Sequence, residues 1–133
     1  MSDAIANTPP GAELLGRKWL GFDESGEIGL VRFEAKACFT NRHGTIQGGF
    51  LAAMLDSATG LRALAALPSH QSAVTRSLDT RFLKPASVGT ITARARVVEH
   101  TERDIVVHAE LVDAEGITVA DATAQLRIVE TTS

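Results

Sequence analysis

One apolar segment, from Phe50 to Leu67 (FLAAMLDSATGLRALAAL), sets the terms on which the rest of the chain must fold. It is too long for a strand. Phe50, Leu51, Met54, Leu55, Ala58, Leu61, Leu64, Ala65 and Leu67 occupy nearly the whole circumference of a helix, so that helix is expected to have protein on all sides. It starts near Gln47 or Gly48 and ends near Pro68, because proline disfavours helical geometry in the residue before it. Asp56 and Arg62 set the segment apart from a membrane span and leave it a core helix. Gly60 costs helix stability relative to alanine, which close packing of another backbone would explain.

Strand patterns fill most of the remaining sequence. Trp19 to Asp23 reads as a short strand, Glu24-Ser25-Gly26 as a turn, and Glu27 to Phe39 as a long strand. In the long strand Val31, Phe33, Ala35, Ala37 and Phe39 alternate with Arg32, Glu34 and Lys36. After the helix come four more alternating runs. Val74, Leu78 and Phe82 share parity in the first, Ile91, Ala93, Ala95 and Val97 in the second. Ile105, Val107, Ala109 and Leu111 do so in the third, and Ala120, Ala122, Ala124, Leu126 and Ile128 in the fourth. The connections Pro85 to Gly89, Thr101 to Asp104 and Asp113 to Gly116 are short enough for antiparallel hairpins, so the long strands are expected to form one meander. One face of such a sheet needs covering and one apolar helix is present to cover it, which predicts an α+β fold with an antiparallel sheet curled around a central helix.

The 133 residues have the length of one domain, read as a leader over residues 1–16 that can hold a short helix after Pro9-Pro10, then a domain over 17–133. No repeat, low-complexity tract or linker interrupts it. The net charge is −3 and the 13 basic residues are dispersed, which argues against a nucleic-acid partner. A single cysteine, Cys38, excludes an intramolecular disulfide, fits a reducing compartment and is expected to be a small buried hydrophobe at a strand end. The opening residues show no basic start followed by an apolar run, so a cytoplasmic location without membrane attachment is expected. His43, His70, His100 and His108 are scattered without ligand spacing, so neither a metal nor a cofactor is expected.

Asp56 needs a separate account. Ala52, Ala53, Thr59 and Gly60, three and four positions away, are small and none is basic, so nothing on its own helix can pair with it. An unpaired buried carboxylate is costly, so Asp56 must face a cleft, water or a partner from elsewhere. Two readings stand side by side: a structural ion pair with an arginine of a strand or second subunit, and a reactive carboxylate in a groove kept open by its small neighbours. The helix start, Gln47-Gly48-Gly49, offers free backbone N–H groups and the positive end of the helix dipole, able to hold a polarised carbonyl; a glycine pair also serves a plain tight junction. Asn41, His43 and Gln47 precede it as caps or ligands.

Gly48 and Asp56 are eight residues apart, about 12 Å along a helix axis, so they cannot both touch one reacting carbon. If both act in one reaction, the carboxylate of one chain must work with the helix start of another, as in a two-fold dimer.

The run Asn41-x2-Gly44-x2-Gln47-Gly48-Gly49-x6-Asp56, with Asp79-Thr-Arg-Phe-Leu-Lys-Pro85 downstream, resembles the hotdog-fold acyl-CoA thioesterases of the PaaI-like type, related to 4-hydroxybenzoyl-CoA thioesterases. The resemblance covers roughly residues 17–130. It implies an acyl-CoA substrate, no cofactor, and a homodimer or a homotetramer built as a dimer of dimers. Position by position, it implies that Gly48 donates its N–H to the thioester carbonyl beside Gly49. Asp56 would act as nucleophile or general base toward water, Asn41 would help position the thioester, and Thr75 would place a hydroxyl near the carboxylate. Gln47 departs from the pattern, because many members have His before the glycine pair; its amide can donate a hydrogen bond but cannot titrate. Arg81, Lys84 and Arg103 are candidates for the coenzyme A phosphates, against the reading of each as a solvated strand-face or turn residue. A hydratase or dehydratase would want a His-Asp pairing that this helix lacks, and a non-catalytic acyl-CoA binding protein is the alternative from another class.

Overall fold

The computed structural model describes residue 5 and residues 7–131. In chain order the elements are α1 (Pro10–Leu14), β1 (Lys18–Phe22), β2 (Gly29–Ala35), a 3-10 turn (Ala37–Phe39), α2 (Gly48–Ala65), β3 (Gln71–Phe82), β4 (Gly89–His100), β5 (Asp104–Val112) and β6 (Thr118–Glu130). The strands form one six-stranded sheet in the order β1-β2-β4-β5-β6-β3, antiparallel throughout. It curls around α2, the hotdog arrangement expected of an α+β chain with one apolar helix. Among the described residues no helix is long and apolar enough to cross a membrane.

The meander holds for β4, β5 and β6 but not for β3. Each strand has two edges, and β2 and β5 take both edges of β4, so β3 pairs with β6 at the far side of the sheet. Residues 83–88 therefore connect non-neighbouring strands rather than closing a hairpin. β3 is an edge strand in this chain, as is β1.

Alternation fails in β3 for an identifiable reason. Thr75 pairs with Leu126 and Ser77 with Gln125, leaving Arg76 as the extra residue of a β-bulge. The bulge changes parity, so Leu78 and Phe82 stand opposite Ala124 and Ala120 of the inner face, while Val74 stands opposite outward-facing Arg127 and is exposed. Thr75, opposite the buried Leu126, takes the inward position instead.

β2 also ends earlier than its pattern suggested. The chain leaves it after Ala35 and tightens into the 3-10 turn, which keeps Phe39 buried but turns Cys38 out to solvent. The expectation of a buried Cys38 is thus corrected. Phe39 stacks on Phe50 of α2 with ring centroids 4.2 Å apart and planes at 11°.

Leu51, Met54, Leu55, Ala58 and Leu61 of α2 are buried against the concave face of the sheet, where Phe33, Ile91, Ile105, Val107, Leu111 and Leu126 meet them. The helix is not enclosed all round. Gly49, Ala53 and Asp56 form an exposed stripe, and a methyl group added at Gly60 would meet nothing within 4 Å. Among the described residues, no backbone packs on Gly60. Near the helix end, buried Arg62 donates from Nε and Nη2 to the Glu27 carbonyl, 3.3 and 3.1 Å away, with its guanidinium 5.0 Å from the Phe22 ring centroid. Burial lowers its pKa, and its charge suits the negative end of the helix dipole.

Of the leader, residues 1–4 and 6 lie outside the described residues. Ile5, Ala12 and Leu15 are buried, and the Glu34 N–H donates to the Leu15 carbonyl at 3.0 Å, which seats α1 against the sheet edge and the open side of α2.

Candidate active site

The polar turn before α2 is held by the side chain of Asn41. Its Oδ1 accepts from the N–H groups of His43 and Thr45 at 2.9 and 3.3 Å, and its Nδ2 donates to Thr45 Oγ1 at 3.1 Å. Gly44, with φ of 81°, makes the reversal inside this turn. The Ile46 N–H then bonds the Ala86 carbonyl at 2.8 Å and the Gln47 N–H the Phe39 carbonyl at 2.9 Å, fixing where α2 begins. Gln47 takes the N-cap position in an extended conformation, and its exposed side chain makes no cap hydrogen bond.

At the helix start the two glycines have different surroundings. A side chain at Gly48 would lie 3.2 Å from the Phe82 ring, so glycine lets that ring cover the first turn. A side chain at Gly49 would meet nothing, which leaves this part of the helix start open to approach. Among the described residues, neither N–H has an acceptor within the chain, as expected for the first residues of a helix. A recess of about 410 Å³ adjoins Gly48, lined by Asn41, Thr45, Phe82 and Lys84 among others.

Two turns on, Asp56 stands on the exposed stripe of α2, and Thr75 Oγ1 donates to its Oδ1 at 2.9 Å. This contact depends on the Arg76 bulge, since unbroken alternation that kept Leu78 inward would turn Thr75 away from α2. Among the described residues the other carboxylate oxygen has no donor, and it can accept from water or substrate. Asp56 lies on a ridge between two grooves. One of about 430 Å³ runs between α2 and β3, past Gly49, Ala52, Thr75, Arg76 and Ser77. The other, about 390 Å³, runs between α2 and α1, past Leu14, Arg17, Phe50, Ala53 and Ser57.

The basic candidates separate. Lys84 lines the recess at the helix start. Arg81 forks onto Asp121, Nε to Oδ1 at 3.0 Å and Nη2 to Oδ2 at 2.6 Å, an ion pair of the outer sheet face. The Asp121 hydrogen bond raises the Arg81 pKa, and two of its donors are committed there. Arg103 is exposed in the β4–β5 turn, away from both grooves, where its carbonyl accepts from the Ile128 N–H at 2.8 Å. Among the described residues, no three His, Cys, Asp or Glu side chains gather to hold a metal ion.

Three residues near the site escaped the sequence reading. Arg76 was hidden because a bulge leaves no mark in a run of alternating residues. Arg17 and its partner Ser57 meet across 40 positions, with Nη1 donating to Oγ at 3.2 Å. The only linear signal was a serine beside Asp56 on an otherwise apolar helix.

The family model of the thioesterase superfamily matches residues 43–120, which include the helix start, Asp56 and Thr75. A phenylacetic acid degradation-related protein of Ralstonia eutropha JMP134 has 33% sequence identity and a TM-score of 0.85, with 91% of each chain covered. The PaaI protein of the Escherichia coli phenylacetic acid degradation operon has 25% identity and a TM-score of 0.85, over 98% of this chain and 91% of that one. The BH2602 protein of Bacillus halodurans, solved with CoA, has 31% identity and a TM-score of 0.71, over 74% of this chain and 70% of that one. Sequence and fold agree that this chain belongs to the thioesterase superfamily, as a thioester hydrolase of the hotdog fold.

Proposed function

We propose that the protein hydrolyses acyl-CoA thioesters, with Asp56 of one subunit and the helix start of another making up each active site. The observation that carries this reading is the Asp56 carboxylate, aimed by Thr75 along an open stripe of the same continuous helix that begins at Gly48, about 12 Å away. The Gly48 N–H, with Gly49 beside it, holds the thioester carbonyl and stabilises negative charge on its oxygen. Asp56 from the partner subunit then acts in one of two ways. As general base it takes a proton from water while the water oxygen attacks the carbonyl carbon. As nucleophile it attacks directly, forming an anhydride that water opens. Both routes break the C–S bond, and the thiolate leaves to be protonated as free coenzyme A. Asn41 holds the turn that presents the N–H groups, and the Gln47 amide serves as a neutral donor to the substrate. The CoA-bound relative supports coenzyme A as the thiol. Lys84, at the recess beside the helix start, suits a phosphate, whereas Arg81 contributes only the donors that Asp121 leaves free.

Two features support the second subunit. The edge strand β3 presents unpaired backbone groups together with Val74 and Phe82, 55% and 56% exposed, and Leu83 follows it at 45%. The small, open stripe of α2 borders that edge. Two chains related by a two-fold axis there would give a homodimer, and two such dimers a tetramer. A cytoplasmic site of action suits the exposed thiol of Cys38.

The test is release of free thiol from a panel of aryl- and fatty-acyl-CoAs by wild type and Asp56→Ala. Turnover by wild type and a drop of at least a hundredfold in the variant are expected. Full turnover by the variant removes Asp56 from the mechanism, and tight binding without turnover by wild type makes the protein an acyl-CoA binder.

A further inference from the structure

We propose that the groove between α1 and α2 receives the acyl part of the thioester, and that Arg17 selects acyl chains that end in a carboxylate. The inference rests on the reading of Asp56 as the reactive group.

The two grooves that Asp56 separates differ in chemistry. The one on the β3 side sets Thr75, Arg76 and Ser77 among small apolar residues and Leu78, and its only cation, Arg76, is exposed. The one on the α1 side is walled mainly by carbon, from Ala12, Leu14, Leu15, Phe50 and Ala53, and suits the apolar body of an acyl group. Ala53 keeps it wide where it meets Asp56, and a methyl group at Gly11 on the opposite wall would meet nothing within 4 Å.

One charge interrupts this lining. The Arg17 guanidinium is half-buried, and among the described residues it is bonded only to neutral acceptors, Ser57 Oγ and the Asn7 carbonyl, each at 3.2 Å. Among the described residues no carboxylate lies within 4.0 Å of it. Burial lowers its pKa, the direction in which loss of water drives a cation. Buried Arg62 shares that condition but is surrounded by Glu27, Phe22 and Trp19 with no reactive group nearby. Arg17 is bonded to the residue next to Asp56 and, among the described residues, keeps three of its five N–H donors. A neutral acyl chain seated there would strip more water from the guanidinium and return nothing. A terminal carboxylate would pair with it, in the forked geometry that guanidinium favours.

The experiment compares kcat/KM for matched thioesters, adipyl-CoA against hexanoyl-CoA and glutaryl-CoA against pentanoyl-CoA, in wild type, Arg17→Met, Arg17→Lys and Ala53→Leu. Wild type is expected to favour the carboxylate-bearing member about tenfold or more. That ratio falls to one or below in Arg17→Met and is partly kept in Arg17→Lys. Ala53→Leu, which narrows both grooves beside Asp56, costs the six-carbon chains more than acetyl-CoA and lowers the two members of a pair alike. A wild-type ratio of one or less overturns the proposal. So does an Arg17→Met variant that loses both members alike, the result expected if Arg17 only ties α1 to α2. Titrating the same pairs into Asp56→Ala separates this from failure of the hydrolase reading. If nothing is hydrolysed but affinity still follows the carboxylate and Arg17, the groove stands and hydrolysis falls. If thioesters are hydrolysed without such a preference, only the groove assignment falls.

Discussion

Thr75 makes Asp56 an aimed carboxylate instead of a merely exposed one, since its hydroxyl donates to one oxygen at 2.9 Å, and on the proposed mechanism the other oxygen reacts. Replacing Thr75 by Val keeps the shape and removes the donor. A hydrogen bond to a charged group contributes about 1.5–3 kcal/mol, so kcat is expected to fall by about ten- to a hundredfold with little change in melting temperature. Steady-state kinetics beside a thermal melt checks this. A second residue-scale expectation concerns Asp104, whose carboxyl the Arg127 hydrogen bond, 2.8 Å long, holds below the ordinary carboxylate range. A lowered folded-state pKa gives stability that is present above the unfolded value and is lost as pH falls through the folded one. The melting temperature of Asp104→Asn should therefore lie below that of wild type at pH 6, and the gap should close as pH falls through and below the ordinary carboxylate range.

At the scale of the element, the β3 bulge and the open stripe of α2 do most to build the site. Arg76→Ala keeps the extra residue, so fold and the Thr75–Asp56 contact should survive, whereas deleting residue 76 forces one half of β3 to reverse its faces. The deletion is expected to abolish activity and lower the melting temperature well beyond Arg76→Ala, which kinetics and calorimetry on the two variants would show. The buried side of α2 carries the stability. Leu55, fully buried in the core, should cost about 2–5 kcal/mol when cut to alanine, measured by chemical denaturation. The helix was legible in the sequence because its apolar residues are dense and bounded by proline. Its open stripe was not, because Ala53 and Gly49 read as apolar whether they are covered or bare.

Over the whole molecule, the proposed mechanism has two half-sites about 12 Å apart on one rigid helix, and on that reading chains exchange active-site parts. Asp56→Ala should inactivate one half-site and Gly49→Val, which puts a side chain in the open helix start, the other. Neither homodimer should hydrolyse thioesters. Refolding the two variants together should restore about a quarter of the wild-type rate, because half the dimers are hybrids and each hybrid holds one intact site of two. Size-exclusion chromatography with light scattering on the mixture checks that dimers have formed, and absence of recovered activity in hybrid dimers would place both groups in one subunit's site.

The sequence by itself determined the central helix, the inward faces of β2, β4, β5 and β6, and the presence of a glycine start and one carboxylate on that helix. These follow from local periodicity and from short-range backbone rules that hold wherever the segment ends up. Tertiary structure decided what local rules do not reach. It put β3 beside β6, because both edges of β4 were taken, and it turned Thr75 inward through a bulge that needs a partner strand to exist. It also exposed Cys38 by ending β2 early and brought Arg17 to Ser57 across 40 positions. The helix start and Asp56 were readable because they lie on one helix with a fixed rise. The groove between α1 and α2 was not, because its two walls meet only when the chain has closed on itself.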